Sequence, residues 1–189
     1  MDPENIRFRK TVKAAELKGN ESILDLGCGR CKLKEFLPNS VRYTGVDFPK
    51  KGKDYGLNLH AKNKDVIFWN LEKGLPRKIK NKKFDVIFLL EVLEHIENFK
   101  TLVSECAKVL SKRGKIVITT PSNNRLVKTE DKGHIHCFRK TNFENLANEV
   151  GLKIKLIKGI FIKIPILHIF IPSNSVCYNE NILCVMQKK

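Results

Sequence analysis

The chain lacks the features that place a protein in a membrane or outside the cell. No apolar run approaches the roughly 20 residues that span a bilayer. The longest one, Ile160 to Pro172, is interrupted by Lys163, Pro165 and His168. The N-terminus, MDPENIRFRK, carries charges where a secretory signal has an apolar core. We therefore expect a soluble, cytoplasmic protein without a transmembrane segment.

A disulfide framework is also absent. The six cysteines, at positions 28, 31, 106, 137, 177 and 184, show no framework spacing. A chain of 189 residues buries enough core to fold without cross-links, so we expect reduced thiols. No internal repeat and no low-complexity linker divides the sequence. We expect a single domain over residues 1–189.

Acidic residues are in deficit. The chain has 20 Asp and Glu against 36 Lys and Arg, a formal charge of +16. Such an excess attracts RNA or an anionic surface. The basic clusters, at residues 50–53, 77–83, 111–115 and 153–158, fall at predicted element ends and in loops, with few aromatic residues between them for base stacking. This favours a solvated basic surface over a dedicated nucleic-acid partner, and leaves RNA or an anionic surface open.

The apolar pattern indicates an α/β fold. Runs with β-branched residues predict five strands, at Ser22–Leu26, Val41–Val46, Val66–Trp69, Phe84–Leu90 and Lys115–Thr120. Helical patterns lie before and between them, at Ile6–Leu17, Lys32–Leu37 and Asn98–Leu110. Strands that are apolar on both faces and alternate with helices are typical of a parallel sheet covered on both sides.

The pattern of polar and apolar residues changes after the fifth strand. Thr141-Asn-Phe-Glu144 fits a capping box and predicts a helix through Asn148. Leu152–Ile160 and Ile182–Met186 predict two late strands with no obvious helix between them, so the last pair is expected to be antiparallel. The segment Gly159–Pro172 is interpreted either as an edge connection that completes the core, or as an apolar wall over a pocket or against a lipid or partner.

The stretch ILDLGCGRC at residues 23 to 31 has two incompatible interpretations. Cys28 and Cys31 form a C-x-x-C pair, a motif of zinc sites and thiol redox centres. Gly27 and Gly29 instead form a turn between a strand and a helix, where a cofactor approaches the backbone. A dinucleotide motif would need a third glycine where Lys32 stands, and Asp25 would set a carboxylate against the pyrophosphate. A dinucleotide is therefore disfavoured.

Two acids flank this turn. A carboxylate at Asp25 suits a ligand with positive charge and no phosphate, and S-adenosylmethionine, with its sulfonium and ammonium groups, is such a ligand. Asp47, in YTGVDF, lies 22 residues further on. An acid about 20 residues past the glycine turn accepts hydrogen bonds from ribose hydroxyls in folds of this kind. Together, the two acids favour S-adenosylmethionine.

At this point the chain resembles a known family, the class I SAM-dependent methyltransferases, and in particular the small-molecule branch related to ubiquinone-biosynthesis O-methyltransferases. The matching motifs, in the family's order over about residues 20–125, are ILDLGCGRC, YTGVDF, FDVIFLLEVLEHIEN and LSKRGKIVITTPSN. HIHCFRKTNFENLANEVGL, within residues 126–189, resembles the next stretch. The resemblance implies a Rossmann-like three-layer sandwich, whose mostly parallel seven-stranded sheet has its last strand antiparallel. It also implies S-adenosylmethionine as cofactor and S-adenosylhomocysteine as product.

The resemblance further implies a set of cofactor-binding residues. Asp25, Gly27 and Gly29 are expected at the methionine end, Asp47 at the ribose and Phe48 against adenine. Four further residues complete the set: Asn70 and Leu71 at the adenine edge, and Leu90 and Glu91 beside the reactive end. One departure is Cys31, which stands where the family usually has a third glycine. We expect altered packing there rather than lost binding.

Residues for the chemistry are harder to select. Methyl transfer from a sulfonium is an in-line displacement, to which a protein contributes mainly proximity, with a general base only for a weak nucleophile. His95 and His134 are the candidate bases; the alternatives are a structural histidine and a solvated loop histidine. The thiols of Cys28 and Cys31 and the residues His134-x-His136-Cys137 have zinc-ligand types, but nothing in the sequence brings them together, so no metal site is expected.

The sequence thus predicts a SAM-dependent methyltransferase that acts on a small-molecule acceptor. The alternatives are an RNA or protein methyltransferase and a non-catalytic SAM-binding partner subunit, for which Cys31 gives slight support. LLEVLEH lacks the D/N-P-P-Y/F sequence of enzymes that methylate base amino groups, which counts against base N-methylation. Neither the acceptor nor the oligomeric state follows from the sequence.

Overall fold

A computed structural model describes residues 2–48, 64–123, 133–164, 169–175 and 180–188. The basic cluster at 50–53, most of the polar stretch after Asn123 and the centre of the apolar segment at 165–168 lie outside these residues. Within the described residues, no helix is both long and apolar enough to cross a membrane.

The strands and helices alternate along most of the chain. The helices are α1 (Pro3–Ala15), α2 (Arg77–Lys80), α3 (Phe99–Val109) and α4 (Lys140–Glu149). The strands are β1 (Ser22–Leu26), β2 (Arg42–Asp47), β3 (Val66–Phe68), β4 (Phe84–Leu90), β5 (Leu110–Pro121), β6 (Leu152–Gly159), β7 (Phe161–Ile164), β8 (Ile169–Pro172) and β9 (Asn181–Lys188). Short 3₁₀ turns occupy Lys32–Phe36, Leu71–Lys73 and Leu93–His95.

Seven strands form one sheet in the order β3-β2-β1-β4-β5-β9-β6. The pairs among β1 to β5 are parallel, and β9 runs antiparallel between β5 and β6. The strand order reverses between β1, which pairs with β2, and β4 on its other side. In open α/β sheets a ligand binds at the carboxyl ends of the strands at such a reversal. The fold class predicted from the sequence is confirmed.

The sheet separates two hydrophobic layers. Along β1, Ile23 packs into one layer and Leu24 and Leu26 into the other, because side chains alternate along a strand. Helices α2, α3 and α4 cover the face of Leu24. Helix α1, the first 3₁₀ turn and the start of β7 cover the face of Ile23. This gives the expected three-layer sandwich.

Of three local expectations, only the capping box was wrong. The helical pattern predicted at Lys32–Leu37 forms a short 3₁₀ helix over Lys32–Phe36. Helix α4 begins at Lys140, and the side chain of Asn142 accepts a hydrogen bond from the Arg139 N–H at 2.7 Å, so the predicted Thr141–Glu144 capping box does not form. The segment after β6 forms a hairpin of β7 and β8, and the burial of Ile160 and Phe161 at its start fits the interpretation as a connection that completes the core. Lys10 Nζ donates to the carbonyls of Ile160 and Ser173, which ties this hairpin to α1.

Candidate active site

The glycine turn follows β1 at the carboxyl edge of the sheet. Gly27 and Gly29 have φ angles of +73° and +51°, a left-handed backbone that glycine adopts without strain. The N–H groups of Gly27 and Cys28 both donate to the carbonyl of Val46, at 2.8 and 3.2 Å. A Cβ on Gly27 would lie 2.5 Å from Cγ2 of Val92. Two strand ends and the turn after β4 therefore fix the shape of this loop.

Asp47 lies against the same turn. Its Oδ2 accepts a hydrogen bond from the Gly29 N–H, and its Oδ1 accepts one from the Phe48 N–H at 2.6 Å. A carboxylate offers about four lone-pair sites, so two remain for other donors. The acid expected to bind ribose is thus held rigidly beside the glycine turn and keeps acceptor capacity for hydroxyl groups.

Asp25 is buried below the turn. Only 3% of its surface is exposed, and its Oδ2 accepts a hydrogen bond from the Tyr43 hydroxyl at 2.6 Å. Burial raises the pKa of this carboxyl to about 7, against the opposing effect of the Tyr43 hydrogen bond. A cationic ligand near Asp25 would favour the ionised form. Tyr43 itself was missed by sequence reasoning, because nothing in YTGVDF marks its hydroxyl as a partner of Asp25.

Cys31 takes a glycine-like conformation. Its φ is +58°, in the left-handed region, which explains why a glycine is the favoured residue at this position. Cys28 and Cys31 are both buried, with their sulfurs 3.8 Å apart and not in a disulfide. The side chain of Cys28 covers Gly45, where an added Cβ would lie 2.8 Å from its sulfur. The pair packs the underside of the turn.

Glu91 also has a left-handed backbone, with φ of +58°, directly after β4. Its Oε2 accepts a hydrogen bond from Asn181 Nδ2 at 2.7 Å and lies 3.7 Å from Nη1 of Arg7. Its Oε1 is buried and accepts no hydrogen bond from the described residues. Asn181 from β9 and Arg7 from α1 therefore orient one carboxylate oxygen, while the other is buried without a hydrogen bond from the described residues. Neither residue carried a signal in the sequence.

The remaining cofactor candidates lie along the carboxyl edge. Phe48 is 52% exposed after β2, and Phe68, at the end of the paired β3, is 44% exposed. Asn70 caps the next 3₁₀ turn, its side chain accepting from the Glu72 N–H at 3.0 Å, and Leu71 is buried. Leu90 is half-buried against the α1 layer. Their contacts with adenine or the methyl group stay predictions.

The two candidate catalytic histidines meet in space. The ring centroids of His95 and His134 lie 4.8 Å apart, although α3 and β5 lie between the two residues in the sequence. The carbonyl of Glu94 accepts from the Ile135 N–H at 2.9 Å and so draws the 133–136 segment onto the turn after β4. The Nδ1 of His95 lies 2.7 Å from the Gly133 carbonyl. Since a carbonyl only accepts, Nδ1 donates to it, and in the corresponding neutral tautomer Nε2 would carry the lone pair.

A metal-ligating arrangement forms at the same place. Side-chain ligand atoms of Glu94, His95 and His134 lie within 4.8 Å of one another. Two imidazoles and a carboxylate suit a transition metal such as Zn²⁺ or Mn²⁺. The sequence did not predict this group, because His134 joins it only through the fold. Within the described residues, the cysteines considered for zinc are not part of such a group.

His136 has a different role. Its Nε2 lies 3.0 Å from the Ile96 carbonyl and 3.2 Å from that of Glu97, and its ring packs edge-on against Phe99. The histidine therefore fastens the 133–138 segment to the backbone after β4. This leaves His134, not His136, facing the candidate site.

Comparisons with known proteins point in one direction. A family model described as methyltransferase domain matches residues 4–156. Ubiquinone biosynthesis O-methyltransferases are similar: that of Bradyrhizobium diazoefficiens is 28% identical over 62% of this chain and 47% of the relative. That of Pelagibacter ubique is 33% identical over 53% of this chain and 42% of the relative. The chain thus spans less than half the length of these curated relatives.

A solved structure shares the whole fold. A SAM-dependent methyltransferase from Archaeoglobus fulgidus superposes with a TM-score of 0.74 at 17% identity, covering 99% of this chain and 95% of the other. The family match extends from α1 to β6 and includes the glycine turn, Asp25 and Asp47, and the 3₁₀ turn at Leu93–His95. The chain therefore belongs to the class I SAM-dependent methyltransferases, as a member of the methyltransferase-domain family.

Proposed function

We propose that this chain transfers a methyl group from S-adenosylmethionine to a small-molecule acceptor and releases S-adenosylhomocysteine. One observation carries the proposal: the Gly29 N–H donates a hydrogen bond to Asp47 at the carboxyl edge of the sheet, next to the buried Asp25. Acids on both sides of the turn oppose a phosphate and suit a nucleoside with a cationic tail. The small-molecule part of the proposal is supported by the names of the curated relatives.

The protein's contribution is chiefly placement. The donor sulfonium leaves as a neutral thioether, so an acceptor aligned behind the methyl group needs little further help. Glu91, oriented by Asn181 and Arg7, offers a carboxylate oxygen beside the end of β4. This oxygen suits a hydrogen-bond donor on the cofactor or on the acceptor.

His95 supplies a base for a hydroxyl acceptor. Its Nδ1 donates to the Gly133 carbonyl, so the base in this tautomer is Nε2, on a ring that packs beside that of His134. A base of this kind contributes typically 10²- to 10⁴-fold to the rate. A divalent ion held by Glu94, His95 and His134 would use the same lone pair and polarise an acceptor oxygen instead.

The experiment begins with calorimetric titration of S-adenosylmethionine and S-adenosylhomocysteine into the folded chain. Turnover to S-adenosylhomocysteine is then screened against phenols, carboxylates, amines, RNA and protein. Cofactor binding with turnover on a small molecule supports the proposal. Turnover restricted to RNA or protein, or binding without turnover on any acceptor, contradicts its acceptor part. Absence of cofactor binding contradicts the proposal as a whole.

A further inference from the structure

A row of exposed cations lies on the side of the sheet away from the candidate site. Six of them, at the starts of β1, β4 and β6 and in the first half of β5, are named the basic edge: Lys18, Lys82, Lys83, Lys112, Arg113 and Lys153. Lys18 precedes β1, Lys82 and Lys83 precede β4, and Lys153 is the second residue of β6. The cofactor residues follow the carboxyl ends of the same strands, so the two surfaces face opposite ways.

A bulge brings the β5 cations to this edge. Phe84 pairs with Leu110 and Val86 with Lys115, so a step of two residues along β4 matches a step of five residues along β5. The surplus residues include Lys112 and Arg113. Arg113 has a φ of +63°, and its carbonyl accepts from Gln187 Nε2 at 2.9 Å. The bulge is thus fixed against β9 while its two side chains extend into solvent.

The carboxylates near this edge are already engaged by the protein. Glu21 accepts from the N–H groups of residues 18 and 19, and Asp85 accepts from the Ser22 N–H and the Ser111 hydroxyl. Glu16 is shared by Lys115 and Lys155, which holds its pKa at about 2. In the part of the chain that the structure describes, no salt bridge involves a cation of the basic edge. These six cations therefore have no ion-pair partner among the described residues.

The shape of the basic edge is a line. From β1 to β6 the sheet order crosses four strand intervals, and at roughly 4.8 Å each the row is about 19 Å long. The exposed large apolar side chains of the described residues lie elsewhere: Phe48 and Phe68 at the carboxyl ends of β2 and β3, Ile135 by the 3₁₀ turn at Leu93–His95 and Ile171 in β8. The edge therefore offers cations without an apolar side chain to enter a bilayer or stack on a base.

We infer that the basic edge binds a single nucleic-acid strand through its phosphates. A row of cations fits a linear polyanion, and the lack of aromatic residues makes the contact independent of sequence. Because the row faces away from the cofactor turn, a strand bound there is a docking partner and not the methyl acceptor. The cations of the basic edge lie on the wrong edge to present an RNA to the cofactor turn for methylation.

The test measures binding of a fluorescent oligouridylate of about 20 nucleotides by anisotropy between 50 and 200 mM salt. In the test variant, Lys82, Lys112 and Lys153 are each replaced by Gln. A control of equal charge replaces Lys73, Lys100 and Lys140, exposed cations that follow β3, the 3₁₀ turn at Leu93–His95 and the 133–139 segment. Lys100 and Lys140 form surface ion pairs with Glu149 and Glu144, which contribute little to stability. Both variants lose the same charge, and their melting temperatures and S-adenosylhomocysteine affinities verify folding.

We expect the wild type to bind with a steep salt dependence and to bind oligothymidylate equally well. The test variant should lower the salt slope by about 2, since each phosphate contact on a single strand contributes about 0.7. It should bind at least tenfold more weakly at the low-salt end, while the control keeps the wild-type slope. Equal losses in both variants, no binding by the wild type, or binding only to phosphatidylglycerol vesicles would overturn the inference.

Discussion

The Gly29 N–H donates a hydrogen bond to Oδ2 of Asp47, which joins the turn after β1 to the end of β2. This contact makes one prediction direct. Asp47→Ala should weaken S-adenosylhomocysteine binding at least tenfold in calorimetry, because it removes the acceptor for ribose hydroxyls and releases the turn. Asp47→Asn keeps an acceptor for Gly29 and should lose less. Equal affinity of wild type and Asp47→Ala would contradict the ribose assignment.

The two glycines of the turn should respond differently to alanine. A Cβ at Gly29 meets no atom within 4 Å, so Gly29→Ala should cost only the left-handed strain, about 1–2 kcal/mol. At Gly27 the same strain is joined by a contact of 2.5 Å with Val92, and Gly27→Ala should cost at least about 1 kcal/mol more. Urea unfolding of the pair checks this. A larger loss at Gly29 would mean that the loop is placed differently.

Asp25 should make stability depend on pH. Its folded pKa of about 7 lies above the unfolded value, so the folded state holds the extra proton between about pH 4 and 7. In that window the contribution of Asp25 to stability falls as pH rises. Asp25→Asn should therefore be more stable than wild type at pH 8 by up to roughly 4 kcal/mol, since each pH unit between the unfolded and folded pKa corresponds to about 1.36 kcal/mol. At pH 4 the difference should be small.

A matched control for this measurement is Asp65→Asn. Asp65 is exposed at the start of β3 and pairs with Lys34 at the surface. Exposed pairs contribute little to stability, so the same substitution there should leave the pH dependence of unfolding close to that of the wild type. An Asp25→Asn variant that gains no stability relative to wild type between pH 4 and 8 would show that the carboxyl is ionised throughout.

The group formed by Glu94, His95 and His134 should bind a divalent transition metal. Adding Zn²⁺ or Mn²⁺ at neutral pH should raise the melting temperature, because an ion that binds only the folded state stabilises it. His134→Ala should abolish most of that rise. His136→Ala is the control, since His136 contacts the Ile96 and Glu97 carbonyls instead. A metal-induced rise that persists in His134→Ala would place the ion elsewhere.

Much of the fold was predictable because its signals are local. The strands β1 and β4 were predicted with their observed bounds, since both are continuous apolar runs bounded by turn or charge signals. The α4 cap was predicted wrongly because Thr141 suits a helix start, whereas the helix is capped at Arg139, whose N–H donates to the Asn142 side chain. Strand β5 begins at Leu110, before the predicted start at Lys115. The earlier start was missed because Lys112 and Arg113 are typical of a loop, whereas a bulge includes them in the strand.

The sequence by itself determined the sheet, the position of the glycine turn and the identity of the acids beside it, because periodicity and motif spacing are properties of neighbouring residues. Only the tertiary structure decided that Tyr43 meets Asp25, that Arg7 and Asn181 orient Glu91 and that His134 joins His95. Those partners are separated by 18 to 90 positions along the chain. Strand order and sheet twist set such distances, and neither is written in any one stretch of the chain.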